Sequence, residues 1–524
     1  MIKKIILNDY FLAITFLVIL ISVTFLQSIH QDYTSIIDFD LTVIHNSLQL
    51  VSNKYPDYRD HTAYSHFLTY GVIYKLFSFL DQSLITNIDL LVKLRNPEIA
   101  LQELYIISRI ANSIIHFILI IFFYKLMGIF YIKKYYKILS ILFLIFSESF
   151  IANLTILRSD IVAICYFFIS IYFLLDFIKN DKVIKLFFAS FFMMLSLLAK
   201  VQIIFLFLFI YFFYIFYCFF EKKNICQNDL FHHPFIQKNS KYFLLLFIFL
   251  YFAFQIALNH FVNSLTGVGY FDFFCFIIYF FAIFFFIKFI TKKNYFIREY
   301  LYSTFSIILI FFVLNIFLLY LFKIFGFIKI DFNIIFSITN PFYFLKIYSP
   351  FADKNFTFFL IYEMINLFFK NFNFNLIYAF LLIIIFLFCL FKIIFFKIED
   401  QFLSKIIYIL LLGSMTFFLV LISNFRSSVF YNLYAIPLLF LLIGIFLNLI
   451  NDKVRFSLSV ILSCLLIVNF TIHFDKFHSY LHKPSNLTYV CVNKPTRDFY
   501  YHWARNFNED FFSKICSNNN YKFK

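Results

Sequence analysis

The sequence predicts an all-α polytopic membrane protein with about 13 transmembrane helices. Hydrophobic residues make up 63% of the 524 residues, charged residues make up only 14%, and Phe alone contributes 90 residues. A soluble domain is about half apolar and about a quarter charged, so a water-soluble globule could not bury this much apolar side chain. The apolar runs are also continuous, whereas the strands of a membrane barrel alternate polar and apolar residues. The combination favours membrane-spanning helices.

The predicted spans follow one another along the chain. The first covers residues 10–27, after Lys3 and Lys4, and no small-residue cleavage site follows it. We therefore expect a retained helix rather than a signal peptide. The later apolar runs cover residues 105–127, 138–151, 161–178, 186–199, 201–220, 243–261, 271–290, 301–322, 376–396, 406–423, 430–450 and 456–474.

Lys and Arg are distributed unevenly between the predicted loops. With the N-terminus in the cytoplasm, the strongly basic loops all fall on the inner side, and three short outer connections carry one basic residue each: Arg158, Lys200 and Arg426. The positive-inside rule then predicts a cytoplasmic N-terminus and, after an odd number of helices, an outer C-terminal tail. The net charge of +16 fits inner loops against anionic lipid, and we do not expect nucleic acid as a partner.

The chain reads as one membrane domain, residues 1–474, followed by a small tail, residues 475–524. Two long outer loops, at about 28–104 and 323–375, fall on the same side as the tail, so we expect function on that face. Within these loops, residues 62–80 and 356–369 have an amphipathic pattern that predicts helices lying at the membrane interface.

The tail contains two cysteines, Cys491 and Cys516. In the oxidising space that the topology predicts for the tail, these two residues can form a disulfide. The alternative is two free thiols.

The first outer loop has the densest group of polar residues. Asp38 and Asp40 precede a segment with helical spacing that begins at Leu41, so one of them can cap that helix. The alternative is a general base for an acceptor hydroxyl, or a ligand of a divalent cation beside a phosphate.

Charged residues also stand at the outer ends of later spans, at Arg109, Arg158, Lys200 and Arg426. A charge within a span costs about 2.5–3.5 kcal/mol, so each of these residues is a functional candidate. The alternative is snorkelling to the interface, or an Arg–Asp pair that only ties loops together.

The order of these motifs resembles the integral-membrane glycosyltransferases of the GT-C class, above all bacterial members similar to protein O-mannosyltransferases and to the lipid A aminoarabinose transferase. Asp38-Phe39-Asp40 corresponds to the acidic motif of that class, and the segment from Asp60 through His61 to Tyr64 corresponds to its second loop element. Four later elements are also similar, namely Arg109 with its small neighbours, Arg158-Ser159-Asp160, Ala199-Lys200, and Tyr431 and Tyr434 before Pro437. Glu does not follow the first Asp, and Thr62-Ala63 replaces the usual Pro-Pro or Pro-Gly.

The resemblance implies a polyprenyl-phosphate-linked sugar donor that enters from the lipid bilayer, and a lipid, glycan or protein acceptor. It implies that Arg158, Lys200, Arg426 and Arg109 bind the donor phosphate. Asp40 would be the base, and Asp38 or Asp60 would orient it or help to hold a divalent cation. The loop from Asp60 through His61 to Tyr64 would cover the acceptor site. A bacterial inner membrane, with the site on the periplasmic side, is the location that fits.

Two other functions remain open. A polysaccharide polymerase or ligase is also polytopic, but such enzymes usually carry their largest outer loop late in the chain, and here the largest is the first. A transporter or lipid flippase often shows inverted repeats and spans interrupted by Gly or Pro, which this sequence lacks.

Overall fold

The computed structural model describes residues 40–57, 63–180, 182–200, 213–219, 284–289, 295–324, 436–450, 454–464, 487–492 and 504–519, together with single positions between them. Within this part of the chain the regular secondary structure is helical and no strand occurs. The helices are α1 (Asp40–Val51), α2 (Tyr64–Leu80), α3 (Ile88–Lys93), α4 (Pro97–Ile129), α5 (Lys134–Ile145), α6 (Glu148–Leu154), α7 (Ser159–Asn180), α8 (Val183–Ala199), α9 (Tyr295–Ile324), α10 (Ile436–Leu449), α11 (Leu487–Val492) and α12 (Glu509–Asn518).

Three helices among the described residues are long and apolar enough to cross a membrane: Pro97–Ile129, Ser159–Asn180 and Ile297–Asn315. The protein is therefore a helical chain with the apolar segments of a membrane protein, as the composition predicts. The predicted span at 243–261 and the interfacial segment 356–369 lie outside the described residues, and so do most residues of the predicted spans at 271–290, 376–396 and 406–423. The total of about 13 helices stays a prediction.

The predicted span at residues 138–151 is wrong in one respect, because the chain forms two helices there. Helix α5 ends at Ile145 and α6 begins at Glu148. The Ser147 side chain accepts a hydrogen bond from the Phe150 amide, which caps α6 and starts a new helix. At 1.5 Å per residue, the 12 residues of α5 cover about 18 Å, which is less than the hydrocarbon core of a bilayer.

Helices α7 and α8 form an antiparallel pair at the centre of the described structure. Ser170 Oγ donates to Ala189 O at 2.8 Å, and Ser196 Oγ donates to Ala163 O at 2.7 Å. These two bonds lie about two turns apart along the pair, so they fix its register. Serine is suited to this position because its small hydroxyl can donate a hydrogen bond to a backbone carbonyl oxygen of the neighbouring helix where two apolar helices pack closely. The pair brings the start of α7 beside the end of α8.

Helix α2 crosses the bundle with its polar side inward. Tyr74 Oη bonds to Ser108 Oγ at 2.5 Å and Tyr70 Oη donates to Asn112 Oδ1 at 3.3 Å, which ties α2 to α4. Gly71 faces α1, where an added Cβ would lie 3.2 Å from the Ser47 carbonyl oxygen, so a side chain there would push the two helices apart. The opposite side of α2 is apolar and exposed at Leu76, Phe79 and Leu80. This arrangement suits a helix at the interface between lipid and protein.

A C-terminal segment, residues 504–519, packs on α1. The Asn506 side-chain oxygen lies 3.2 Å from both His45 Nε2 and Gln49 Nε2, and the Arg505 amide donates to Asp57 Oδ2 at 2.8 Å. The Phe507 ring packs edge-on against the His45 ring, with centroids 4.8 Å apart. This C-terminal segment is thus part of the packed structure around residues 40–57.

Cys491 and Cys516 form a disulfide in this structure, with Cα atoms 5.9 Å apart. The bond joins α11 to α12, and both sulfur-bearing residues are buried. It therefore holds α12 in the compact segment that contacts α1.

Replacing both cysteines, Cys491→Ser with Cys516→Ser, should loosen the C-terminal segment. A disulfide that closes a loop of 25 residues contributes about 2–4 kcal/mol. Amide hydrogen exchange of residues 504–519 should accelerate by at least tenfold in the double variant, and Cys464→Ser is the control because Cys464 is an exposed free thiol. Unchanged exchange in the double variant would show that the segment does not depend on the disulfide.

Candidate functional site

A buried ion pair joins α1 to α4. The Asp40 carboxylate and the Arg109 guanidinium are both inaccessible to solvent, and Arg109 Nη2 lies 2.5 Å from Asp40 Oδ2. The same Nη2 donates to Tyr105 Oη at 2.8 Å, and the guanidinium stands over the Tyr105 ring at 4.8 Å. Arg109 Nε and Nη1 have no hydrogen-bond partner among the described residues. For these two residues the structure shows the second alternative considered from the sequence, an Arg–Asp pair that joins two segments.

The linker between α6 and α7 is held from two sides. Asp40 Oδ1 accepts a hydrogen bond from the Leu157 amide at 2.8 Å, and the Asn112 side-chain amide donates to the carbonyl oxygens of Asn153 and Leu154 at 2.9 and 3.0 Å. Buried backbone groups need such partners because an unpaired amide is costly. Asp40 thus fixes the residue that immediately precedes Arg158.

A second polar cluster lies directly beyond this linker, around the fully buried Asp160. Arg158 Nε donates to Asp160 Oδ2 at 2.9 Å, and Tyr434 Oη donates to Asp160 Oδ1 at 2.5 Å. Lys200 Nζ lies 3.8 Å from Asp160 Oδ1 and donates to Ser159 Oγ at 3.3 Å. Two cations therefore contact one carboxylate in this cluster.

Sequence reasoning did not single out His66, which the structure places beside this cluster. Its side chain is 1% exposed, and neither ring nitrogen has a hydrogen-bond partner among the described residues. Burial, and then the charge of Lys200, lowers the pKa of His66 to about 3, so the ring is neutral at pH 7. A single histidine forms no recognisable motif in the sequence. Only its surroundings in the folded structure identify His66 as a candidate site residue.

An apolar groove of about 650 Å³ runs beneath α2, between α4, α7 and α8. Its roof contains a polar pair, Thr69 Oγ1 and Tyr166 Oη, which are 2.8 Å apart. Thr69 lies one turn after His66 on α2. From Thr69 the groove extends past Ile114 and Phe192 to Phe122, and Arg158, Asp160 and Lys200 do not line it.

The structure brings together some of the residues predicted from the sequence and separates others. Arg158 and Lys200 share Asp160, whereas Arg109 belongs to the pair with Asp40. Tyr64 is the buried first residue of α2, two positions before His66. Four predicted residues, Asp38, Asp60, His61 and Arg426, lie outside the described residues.

The described residues include no group of three or more His, Cys, Asp or Glu side chains that could hold a metal ion. At Asp40, a guanidinium and a backbone amide occupy the carboxylate oxygens. This arrangement does not fit a divalent cation at Asp40.

Comparisons with protein-family models, with curated proteins and with solved structures were made for the whole chain. None of the three finds a match. The assignment to a function therefore depends on the residues and the geometry described above.

Breaking the Asp40–Arg109 pair on one side should destabilise the protein. Either Asp40→Asn or Arg109→Met leaves the opposite charge buried and unpaired, which typically costs about 3–5 kcal/mol. The double variant removes both charges, so it should lose clearly less than the sum of the single variants. Thermal unfolding of the detergent-purified proteins measures this difference. Additive losses would mean that the two side chains do not act as a pair.

Proposed function

We propose that the protein is a membrane glycosyltransferase that moves a sugar from a polyprenyl-phosphate-linked donor to an acceptor hydroxyl. The observation that carries the proposal is the buried cluster of Arg158 and Lys200 around Asp160, held by α7 and α8, two of the helices that also line the apolar groove. A cationic site beside a long apolar groove is complementary to a lipid whose head is a phosphate.

The cluster has the charge that a departing phosphate needs. Arg158 and Lys200 are held in place by Asp160 and Ser159, so little reorganisation is required when negative charge develops on the ligand. Fixed cations in a water-excluded site stabilise such charge much better than mobile cations in water. The ligand phosphate would be bound by the same two cations that contact the Asp160 carboxylate.

The groove has the chemistry of an isoprenoid site. Its rim includes the apolar side chains of Leu76 and Ile114, which are 57% and 41% exposed in the absence of a bilayer. A lipid tail could therefore enter sideways from the membrane without crossing a polar barrier. The Thr69–Tyr166 pair places two hydroxyl groups in the lining of this otherwise apolar space.

The proposed reaction is a single displacement. The acceptor oxygen forms a bond to the anomeric carbon, the bond from that carbon to the phosphate oxygen breaks, and the electron pair leaves with the polyprenyl phosphate. The acceptor proton passes to a base, for which the sequence predicts Asp40. In this structure Asp40 is engaged with Arg109 and the Leu157 amide, so it would act on a hydroxyl only after that pair opens.

The order of sequence motifs supports the same proposal, because it is similar to that of the GT-C class. The finer features that follow from that likeness belong to the proposal as well: about 13 spans, a cytoplasmic N-terminus, a periplasmic site in a bacterial inner membrane, and a lipid, glycan or protein acceptor.

Arg158→Ala and Lys200→Ala should each lower sugar transfer from a polyprenyl-phosphate donor by about 10- to 100-fold, since a hydrogen bond to a charged group contributes about 1.5–3 kcal/mol. The assay incubates membranes with a panel of radiolabelled polyprenyl-phosphate sugars and measures the donor consumed. Lys185→Ala is the matched control, because Lys185 pairs with Asp176 at the opposite end of α8. A panel from which no donor is consumed, or an equal loss with Lys185→Ala, would contradict the proposal.

The role of Asp40 can be separated from its part in the ion pair. The double variant Asp40→Asn with Arg109→Met avoids the unpaired buried charge, so any remaining defect in transfer reports on chemistry. If Asp40 is the base, this variant should transfer sugar about 100- to 10,000-fold more slowly than the wild type. Transfer that recovers together with thermal stability would show that Asp40 serves only to hold the linker.

A further inference from the structure

His66 is an exception to the way in which buried polar groups are normally satisfied. Most buried side-chain polar atoms have at least one hydrogen-bond partner, because an unpaired group loses its hydration and gains nothing in return. The His66 ring is buried with both nitrogens unpartnered among the described residues. Its nearest aromatic contact is the Tyr70 ring, edge-on at 5.0 Å, which offers no hydrogen bond to the nitrogens.

Hydrogen bonds made by Ser65 and Thr69, on either side of His66 in the sequence, hold this part of α2 in place. Ser65 Oγ donates to the Leu195 carbonyl oxygen at 2.6 Å, and Thr69 Oγ1 bonds to Tyr166 Oη at 2.8 Å. These bonds fasten the first two turns of α2 to α8, which ends just before Lys200, and to α7, which contains Asp160. His66 is therefore held close to the end of α8, within electrostatic range of Lys200, Asp160 and Arg158.

We infer that His66 donates a hydrogen bond to the phosphate that Arg158 and Lys200 bind, and is thus a third side chain contacting the ligand. The inference rests on the proposed function, which supplies a polyprenyl phosphate as the ligand. A neutral imidazole carries one N–H donor, and a phosphate oxygen accepts it. The ligand would satisfy a nitrogen that the protein itself leaves unsatisfied.

A neutral donor has a physical advantage at this position. Burial and the two neighbouring cations lower the pKa of His66, so the ring adds a hydrogen bond without adding a third positive charge that would repel Arg158 and Lys200. A bound phosphate would bring negative charge close to the ring and would raise that pKa. The side chain is therefore suited to recognise an anion without destabilising the unliganded cluster by further repulsion.

The test compares binding with stability in the purified full-length protein. His66→Leu removes both nitrogens and fills the site with an apolar group, and His66→Phe keeps a ring in the same position if the Leu variant does not fold. His66→Gln keeps an N–H donor. The probes are a polyprenyl phosphate and the corresponding polyprenol without phosphate, both in detergent, with binding measured by titration calorimetry and stability by thermal unfolding.

We expect His66→Leu and His66→Phe to bind the polyprenyl phosphate about tenfold more weakly than the wild type, with unchanged affinity for the polyprenol. Without ligand, both variants should unfold at the same temperature as the wild type or higher, because they no longer bury an unpaired polar group. His66→Gln should retain most of the affinity. A matched control is His116→Gln, since His116 is buried on α4, bonded through Nδ1 to the Asn112 carbonyl oxygen and outside the cluster.

Two outcomes separate the inference from the proposed function. If Arg158→Ala and Lys200→Ala weaken binding of the polyprenyl phosphate while both apolar His66 variants bind it normally, His66 has only a packing role and the inference is overturned. If the wild type binds the polyprenyl phosphate no better than the polyprenol, the phosphate site itself is absent and the proposed function fails first. An equal loss for both probes would also overturn the inference, because it would indicate a collapsed groove.

Discussion

The buried carboxylate of Asp40 places a strong constraint on the surrounding structure. A carboxylate without solvent contact is stable only if a cation and hydrogen-bond donors surround it, and here Arg109 and the Leu157 amide meet that need. Three separate segments must therefore converge on one point: the start of α1, the middle of α4 and the linker before α7. Because the linker leads directly into Arg158, the position of the cationic cluster depends on a side chain that lies outside it.

The two polar clusters differ in a way that bears on function. In the pair of Asp40 and Arg109 the charges balance, and both side chains are sealed from solvent, as in a structural junction. Around Asp160 two cations contact one carboxylate, Arg158 and Lys200 retain 7% and 8% exposure, and the nearby imidazole of His66 has no hydrogen-bond partner among the described residues. The proposal of ligand recognition at the second cluster follows from this remaining exposure and from the two nitrogens of His66.

The parts of the fold that were predictable from the sequence are those determined by long apolar runs. The observed helix Ser159–Asn180 extends the predicted span 161–178 by only two residues at each end, because an uninterrupted apolar segment has few alternatives. The break at Ser147 was missed, since a single capping hydroxyl barely alters hydropathy. The pair of Asp40 and Arg109 joins residues 69 positions apart, and His66 is marked only by its missing partners. Such features depend on tertiary packing, which local patterns do not encode.

The docking of the C-terminal segment has a consequence for the way in which the protein is made. Asn506 meets His45 across 461 positions of the chain, so ribosomes synthesise nearly the whole intervening sequence before the partner of α1 exists. Until then His45 lacks its contacts with Asn506 and Phe507, and the packing around α1 remains incomplete. Completion of this packing is therefore a late event in biogenesis, and nascent chains stalled before residue 504 would retain an open α1 surface for chaperones or proteases to recognise.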